Sequence, residues 1–227
     1  ILKNVSFQVK RGEILGIAGL VGSGRSELAE CIFGAREIDK GDIYLEGKKK
    51  KFSHPKDAIK NGIGLIPEDR KNFGLILKHT IKDNSTLIQI KKMLSGVLLN
   101  SKKENKHIEE SIKDLSIKVS DYNLKVSSLS GGNQQKIVIS KWKDMDLKIL
   151  IFDEPTKGID VNAKEDIFKV IEDYAAKGVG IIFISSDLGE VERIADRVLV
   201  LKRGNFINEL RGNDINIEKI NYLALNG

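Results

Sequence analysis

Residues 19–27 read GLVGSGRSE. Their spacing approaches the phosphate-binding pattern G-x-x-x-x-G-K-[ST], with Arg25 where that pattern has lysine. Glycines at 19, 22 and 24, with Ser23 between the last two, permit the tight path on which successive backbone N–H groups point at phosphate oxygens. Ser26 stands where a hydroxyl would hold Mg2+. A helix following the loop would add its positive N-terminal end. The same glycines would equally suit an ordinary turn between a strand and a helix.

Two further stretches carry chemistry. Residues 149–154, ILIFDE, are an apolar run that delivers Asp153 and then Glu154. An aspartate so placed helps to hold Mg2+ beside a phosphate loop, and a glutamate directly after it can polarise an attacking water. Taken alone, the two acids would also suit the turn-rich DEPTKGID. Residues 129–136, LSGGNQQK, put Ser130, Gly131 and Gly132 at the opening of a helix, which is a second anion site or simply a capped start. One γ-phosphate needs one such loop, so a second makes sense if it serves a partner's nucleotide.

The elements that must position these residues follow from periodicity. VSFQV at 5–9 alternates like a half-buried strand, and ILGIAG at 14–19 reads as a buried one. SELAECIFG at 26–34 has helical spacing and stops at Gly34. Short strands are expected at 42–46 and 63–66, buried strands at 148–155 and 179–186, and strand, turn, strand at 197–207. Helices are expected at 163–177 and 188–195, with a Lys-rich helical stretch from Ile81 to about Ser127. Strands alternating with helices imply an α/β fold with a mostly parallel sheet. The expectation is a single domain over 1–227, with a helical subdomain at about 80–140 inserted in it.

Composition narrows the class. With 227 residues the chain can bury a sizeable core. At 41% hydrophobic residues it is not a disordered type, and no apolar run is long enough to span a bilayer. The opening ILKNVSF reads as mid-strand and suggests a piece of a longer protein. The single cysteine, Cys31, excludes an internal disulfide, fits a reducing compartment and is expected in the core. The formal net charge is +6, but the lysines are scattered apart from KKKK at 48–51, which reads as a solvated loop. No aromatics interleave with basic clusters, so no nucleic-acid platform is expected. Phe7 is expected in the core.

In order, the loop, LSGGNQQK, DEP and the following aspartate resemble the ATP-binding-cassette (ABC) ATPases, and LSGGNQQK resembles that family's signature motif. GLVGSGRSEL, IPEDRK, DEPTKGIDV and ISSDLGEV are closer still to the second, C-terminal cassette of double-cassette ATPases that energise monosaccharide importers. The resemblance extends to about residue 210. It implies an ABC-type core with a small N-terminal antiparallel β subdomain and a helical subdomain bearing the signature. It also implies ATP and Mg2+ as cofactors. Gly19, Gly22, Ser23, Gly24, Arg25, Ser26, Glu27 and Asp153 would line this chain's own phosphate site. Ser26, Glu68 and Asp153 would hold the metal. Ser130, Gly131, Gly132 and Asn133 would close over the ATP of the N-terminal cassette of the same polypeptide, paired head to tail, and Asp160 would signal across that pairing. Residues around 68–90 would face transmembrane permease subunits at the cytoplasmic face of the membrane. A sugar-binding protein would be only an indirect partner.

Three departures fall on one site. Arg25 replaces the loop lysine, a planar fork in place of a point charge. Glu68 stands where the family's glutamine loop has Gln. Ser186 stands where its switch histidine belongs; it offers a hydrogen bond but no charge. Glu154, the expected general base, remains. The reading is nucleotide binding with slow hydrolysis, an asymmetry that resembles second cassettes of this subgroup. The rivals are a regulatory or scaffolding cassette, a soluble cassette protein of DNA repair or translation, and the equivalent domain of a nucleoside or signalling-sugar importer.

Overall fold

The computed structural model describes residues 2–227. In chain order its elements are β1 (Ile14–Ala18), α1 (Arg25–Phe33), β2 (Ile43–Leu45), β3 (Lys48–Lys50), α2 (Pro55–Lys60) and β4 (Ile63–Ile66). Then come α3 (Ile81–Thr86), β5 (Leu94–Ser95), β6 (Leu98–Leu99), α4 (Ser101–Asp114) and α5 (Gly131–Ser140). The chain continues with β7 (Ile149–Asp153), α6 (Val161–Ala176), β8 (Gly180–Ile184), α7 (Leu188–Ile194), β9 (Arg197–Lys202), β10 (Asn205–Arg211) and α8 (Ile217–Asn226).

The chain divides into two compact units. One comprises the residues up to Leu65, Leu147–Glu154 and Ile171–Gly227; the other comprises Ile66–Asp146 and Pro155–Val170. The first is built on a sheet in the order β10-β9-β1-β8-β7-β4. β1 pairs in parallel with β8 and β9, and β7 with β8, while β10 returns antiparallel to β9. The central strands are apolar at every position and buried throughout, as strands covered on both faces must be. Ile17, Leu28, Ile63, Ile151, Ile182 and Leu201 belong to one core cluster with Phe52. The β9–β10 turn has φ 48° at Arg203 and 82° at Gly204, the two-residue hairpin geometry that matches strand twist.

Two expectations about the N-terminal edge are corrected. At 5–9 the alternation exists as burial: Val5, Phe7 and Val9 are half-buried against the core and Ser6 and Gln8 exposed. No ladder holds this segment among the described residues, so it is an apolar strip rather than a sheet strand. The lysines at 48–50 are not a loop but β3, paired with β2 across a turn with positive φ at Glu46 and Gly47. Lys48 and Lys49 remain solvated. The turn residues fix the hairpin, and lysine suits an exposed strand edge. Phe7 packs edge-on against Phe206, with ring centroids 5.5 Å apart. Cys31 is buried, and burial pushes its thiol up.

The second unit packs α3, α4 and α5 around Ile81, Ile108, Val126, Ile137 and Trp142. Between α3 and α4 the expected helical stretch is interrupted by the small β5–β6 hairpin, where Gly96 takes φ 64°. Arg70–Gly74 forms a single π-helical turn, started by Asp69, whose carboxylate accepts the amides of Lys71 and Asn72 at 3.1 Å each.

Candidate functional site

The loop after β1 turns on positive φ at two glycines, 79° at Gly22 and 106° at Gly24. Gly24 is the N-cap of α1 and brings no side-chain cap, so the first-turn amides keep their donors for a ligand. Gly19 is held by space rather than torsion: a Cβ there would lie 2.3 Å from Leu201 O and 2.8 Å from Ser23 Oγ. Ser23 Oγ is buried with no hydrogen-bond partner among the described residues. A loop with open glycines, a bare helix start and an orphaned hydroxyl fits a triphosphate. Ser26 and Glu27 lie half-buried on the first turn of α1.

Arg25 goes elsewhere. It is 7% exposed. Its Nη1 donates to Ser185 O at 2.6 Å, and its Nη2 lies 3.2 Å from Glu154 Oε1. Ser186 Oγ donates to the other oxygen, Glu154 Oε2, at 3.0 Å. Both oxygens of the expected general base are therefore engaged, one by Arg25 and the other by Ser186. Glu154 sits just past β7 with φ 47°, a left-handed conformation that costs a non-glycine residue on the order of 1 kcal/mol. Its amide donates to Ile184 O at 2.9 Å, which fixes it across to β8. Ser185 is oriented in turn, its hydroxyl donating to Glu190 Oε2 at 2.8 Å. Asp153 is buried at the end of β7. The structure thus brings Gly19–Glu27, Asp153, Glu154 and Ser186 together in the first unit. No cluster of three or more His, Cys, Asp or Glu side chains able to hold a metal occurs among the described residues. A Mg2+ there would take Ser26 and Asp153 with ligand phosphates, as that ion commonly does.

The second unit holds the remaining expected residues. Ser130 is the N-cap of α5, accepting the Asn133 amide at 3.5 Å and the Asn133 Nδ2 at 3.0 Å. Asn133 Oδ1 accepts the Lys118 amide at 2.8 Å. Asp160 caps α6 by accepting the Ala163 amide at 3.0 Å. A Cβ on Gly132 would meet Ala163 Cβ at 2.5 Å and Asp160 Oδ2 at 3.6 Å. Glu68 is exposed and pairs with Lys157 at 2.7 Å. Sequence reasoning passed over Ser185, Glu190, Arg70 and Lys157. The last two lie in the quoted stretches IPEDRK and DEPTKGIDV, but spacing gives no hint that they meet.

Comparison with known proteins adds the following. The pattern of the family described as ABC transporter matches residues 2–157. The ribose import ATP-binding protein of Clostridium tetani is 48% identical over 220 residues, covering 96% of this chain and 44% of that protein. The xylose import ATP-binding protein of Thermoanaerobacter pseudethanolicus is 46% identical over 228 residues, covering 100% of this chain and 45% of that protein. The chain therefore spans less than half the length of these relatives. A solved nucleotide-free ATP-binding cassette from an ABC transporter matches at TM-score 0.78 and 28% identity, over 98% of this chain and 88% of that one. A dimeric ATP-binding cassette in a post-hydrolysis state with ADP and Pi matches at TM-score 0.79 and 24% identity, over 92% and 90%, a likeness of fold alone. No helix among the described residues is long and apolar enough to cross a membrane.

Proposed function

This chain belongs to the ABC transporter family, and from that membership we propose that it is the C-terminal cassette of a double-cassette ATPase that drives monosaccharide import. Its own phosphate loop binds Mg-ATP through Gly19–Glu27, with Ser26 and Asp153 toward the metal. Ser130–Asn133 close over the nucleotide of the N-terminal cassette. Permease subunits dock around residues 68–90 at the cytoplasmic face of the membrane. The likeness to ribose and xylose import proteins supports a sugar as the cargo.

Within that reading, this chain's own site holds nucleotide and hydrolyses it slowly. One observation carries this: Glu154 is neutralised by Arg25 on one oxygen and hydrogen-bonded by Ser186 on the other. A carboxylate so engaged is a poor acceptor for a water proton, and a guanidinium held at Ser185 O is withdrawn from phosphate oxygens.

The test is a Mg-ATP titration of the purified chain, with calorimetry and phosphate release followed in parallel at several protein concentrations. Binding with no release above background is expected, and Arg25→Lys should raise release by freeing Glu154. Release that grows more than linearly with protein and disappears in Glu154→Gln would mean working self-paired sites, and would overturn the slow-hydrolysis reading. Uptake of labelled ribose and xylose by the complete importer tests the cargo.

A further inference from the structure

The π-helical turn Arg70–Gly74 is fastened to the far end of α5 and lies against its near end. At the far end, Lys141 Nζ donates to Gly74 O, and a Cβ on Gly74 would lie 3.0 Å from Val138 Cγ2. At the near end, a Cβ on Gly131 would lie 2.7 Å from Arg70 Nη2 and 3.2 Å from Gly158 O. A side chain at 131 would therefore have to displace the guanidinium from its place. Gly131 has no positive φ, so it is the close approach of Arg70 and Gly158 O, not torsion, that favours glycine there.

Arg70 also reaches the loop after DEP. Its Nη1 donates to Lys157 O at 3.0 Å. The side chain of the same Lys157 pairs with Glu68 at 2.7 Å. Lys157 is thus gripped by its carbonyl and its ammonium from two residues of one short stretch. Arg70 Nε is buried with no hydrogen-bond partner among the described residues. Burial pulls this guanidinium below arginine's ordinary value, with Asp69 opposing. Its planar fork thus donates to one backbone and lies against another.

We propose that Arg70 is a positioning residue for the signature segment Ser130–Asn133: it sets the approach of Gly131 to the loop Lys157–Asp160, and so the closure of that segment over a partner cassette's nucleotide. This rests on the reading that the segment serves a nucleotide bound by another cassette. Lysine cannot replace it fully, because one point donor cannot both reach Lys157 O and place a planar group against Gly131.

The experiment uses the complete ATPase subunit assembled with its membrane partners, with Arg70→Met, Arg70→Lys and Gly132→Asp. Steady-state hydrolysis gives kcat and KM for ATP, and calorimetry on this chain gives Mg-ATP affinity at its own phosphate loop. Arg70→Met is expected to raise KM by about tenfold, the loss of one charge-assisted hydrogen bond, with affinity at the chain's own loop unchanged. Arg70→Lys should fall between Met and the parent, and it carries the test by the same split if Arg70→Met does not fold. An unchanged KM, or an equal loss of affinity at the own loop, overturns the proposal, the latter by showing general structural damage. If Gly132→Asp leaves turnover intact, the reading of the signature segment itself has failed. If Gly132→Asp abolishes turnover with Mg-ATP affinity at the chain's own loop unchanged, while Arg70→Met is silent, only the role of Arg70 has failed.

Discussion

Arg25 and Glu154 form an ion pair at 3.2 Å across 129 positions of sequence, with side chains 8% and 9% exposed. The pair joins the phosphate loop to the end of β7, and it carries the first prediction. Removing one member of a buried pair leaves an uncompensated charge, at a cost of about 3–5 kcal/mol. Arg25→Ala should lower the unfolding free energy by about that amount in urea. Arg25→Met with Glu154→Leu should lose less than the two single changes summed. Simple additivity would mean that the two side chains do not interact.

Lys141 gives a pH prediction. Burial alone depresses its ammonium from 10.5 to about 8, so between those values the unfolded chain binds more protons than the folded one. Stability then rises with pH through that window, by up to about 3 kcal/mol. Lys141→Met should flatten the rise between pH 8 and 10.5, measured as urea midpoints across the range. An unchanged slope would show that Lys141 is not the group responsible.

At low pH the start of the interior strands β1 and β9 should respond through Glu13. Burial pushes its carboxyl up, but the hydrogen bond from Arg197, the Lys10 amide and the charge of Arg197 together hold it below the ordinary 4.5. A lowered folded-state value means stabilisation that is present above about pH 4.5 and lost as pH falls through that lowered value. Arg197→Gln should shallow the acid limb of the stability profile while leaving the limb above pH 8 alone.

Gly132→Ala should destabilise the chain without any nucleotide present. Its methyl would sit 2.5 Å from Ala163 Cβ, and forcing such a contact apart costs about 1–3 kcal/mol. Gly22→Ala has no neighbour within 4 Å but must adopt φ 79°, so its cost is conformational, about 1 kcal/mol. Adding Ala163→Gly should rescue the first substitution and not the second. Equal behaviour of the two in thermal denaturation would contradict this division.

The strands were readable because ILGIA, ILIFD and GIIFI are unbroken apolar runs ended by chemistry-bearing or turn residues. The α1 stop at Gly34 and the Ser130 cap were readable because both are local rules of backbone geometry. VSFQV misled because alternation reports one buried face and says nothing of ladder partners. The lysines of β3 misled because charge signals solvent, not loop. The partners of Arg25 could not be read at all. A guanidinium that may turn toward a ligand or toward Glu154 chooses by three-dimensional proximity, and residues 129 apart in sequence carry no mark of it.

The Arg25 pair also ties the cation of the phosphate loop to the stability of the fold. A single change to lysine would restore the usual cation of such loops, but it would exchange a fork that spans Glu154 and Ser185 for one donor that cannot reach both. The gain in chemistry and the loss in folding would then arrive in the same mutational step. Freeing the Glu154 carboxylate by changing Arg25 therefore carries a cost in stability that a second, stabilising change elsewhere would have to offset.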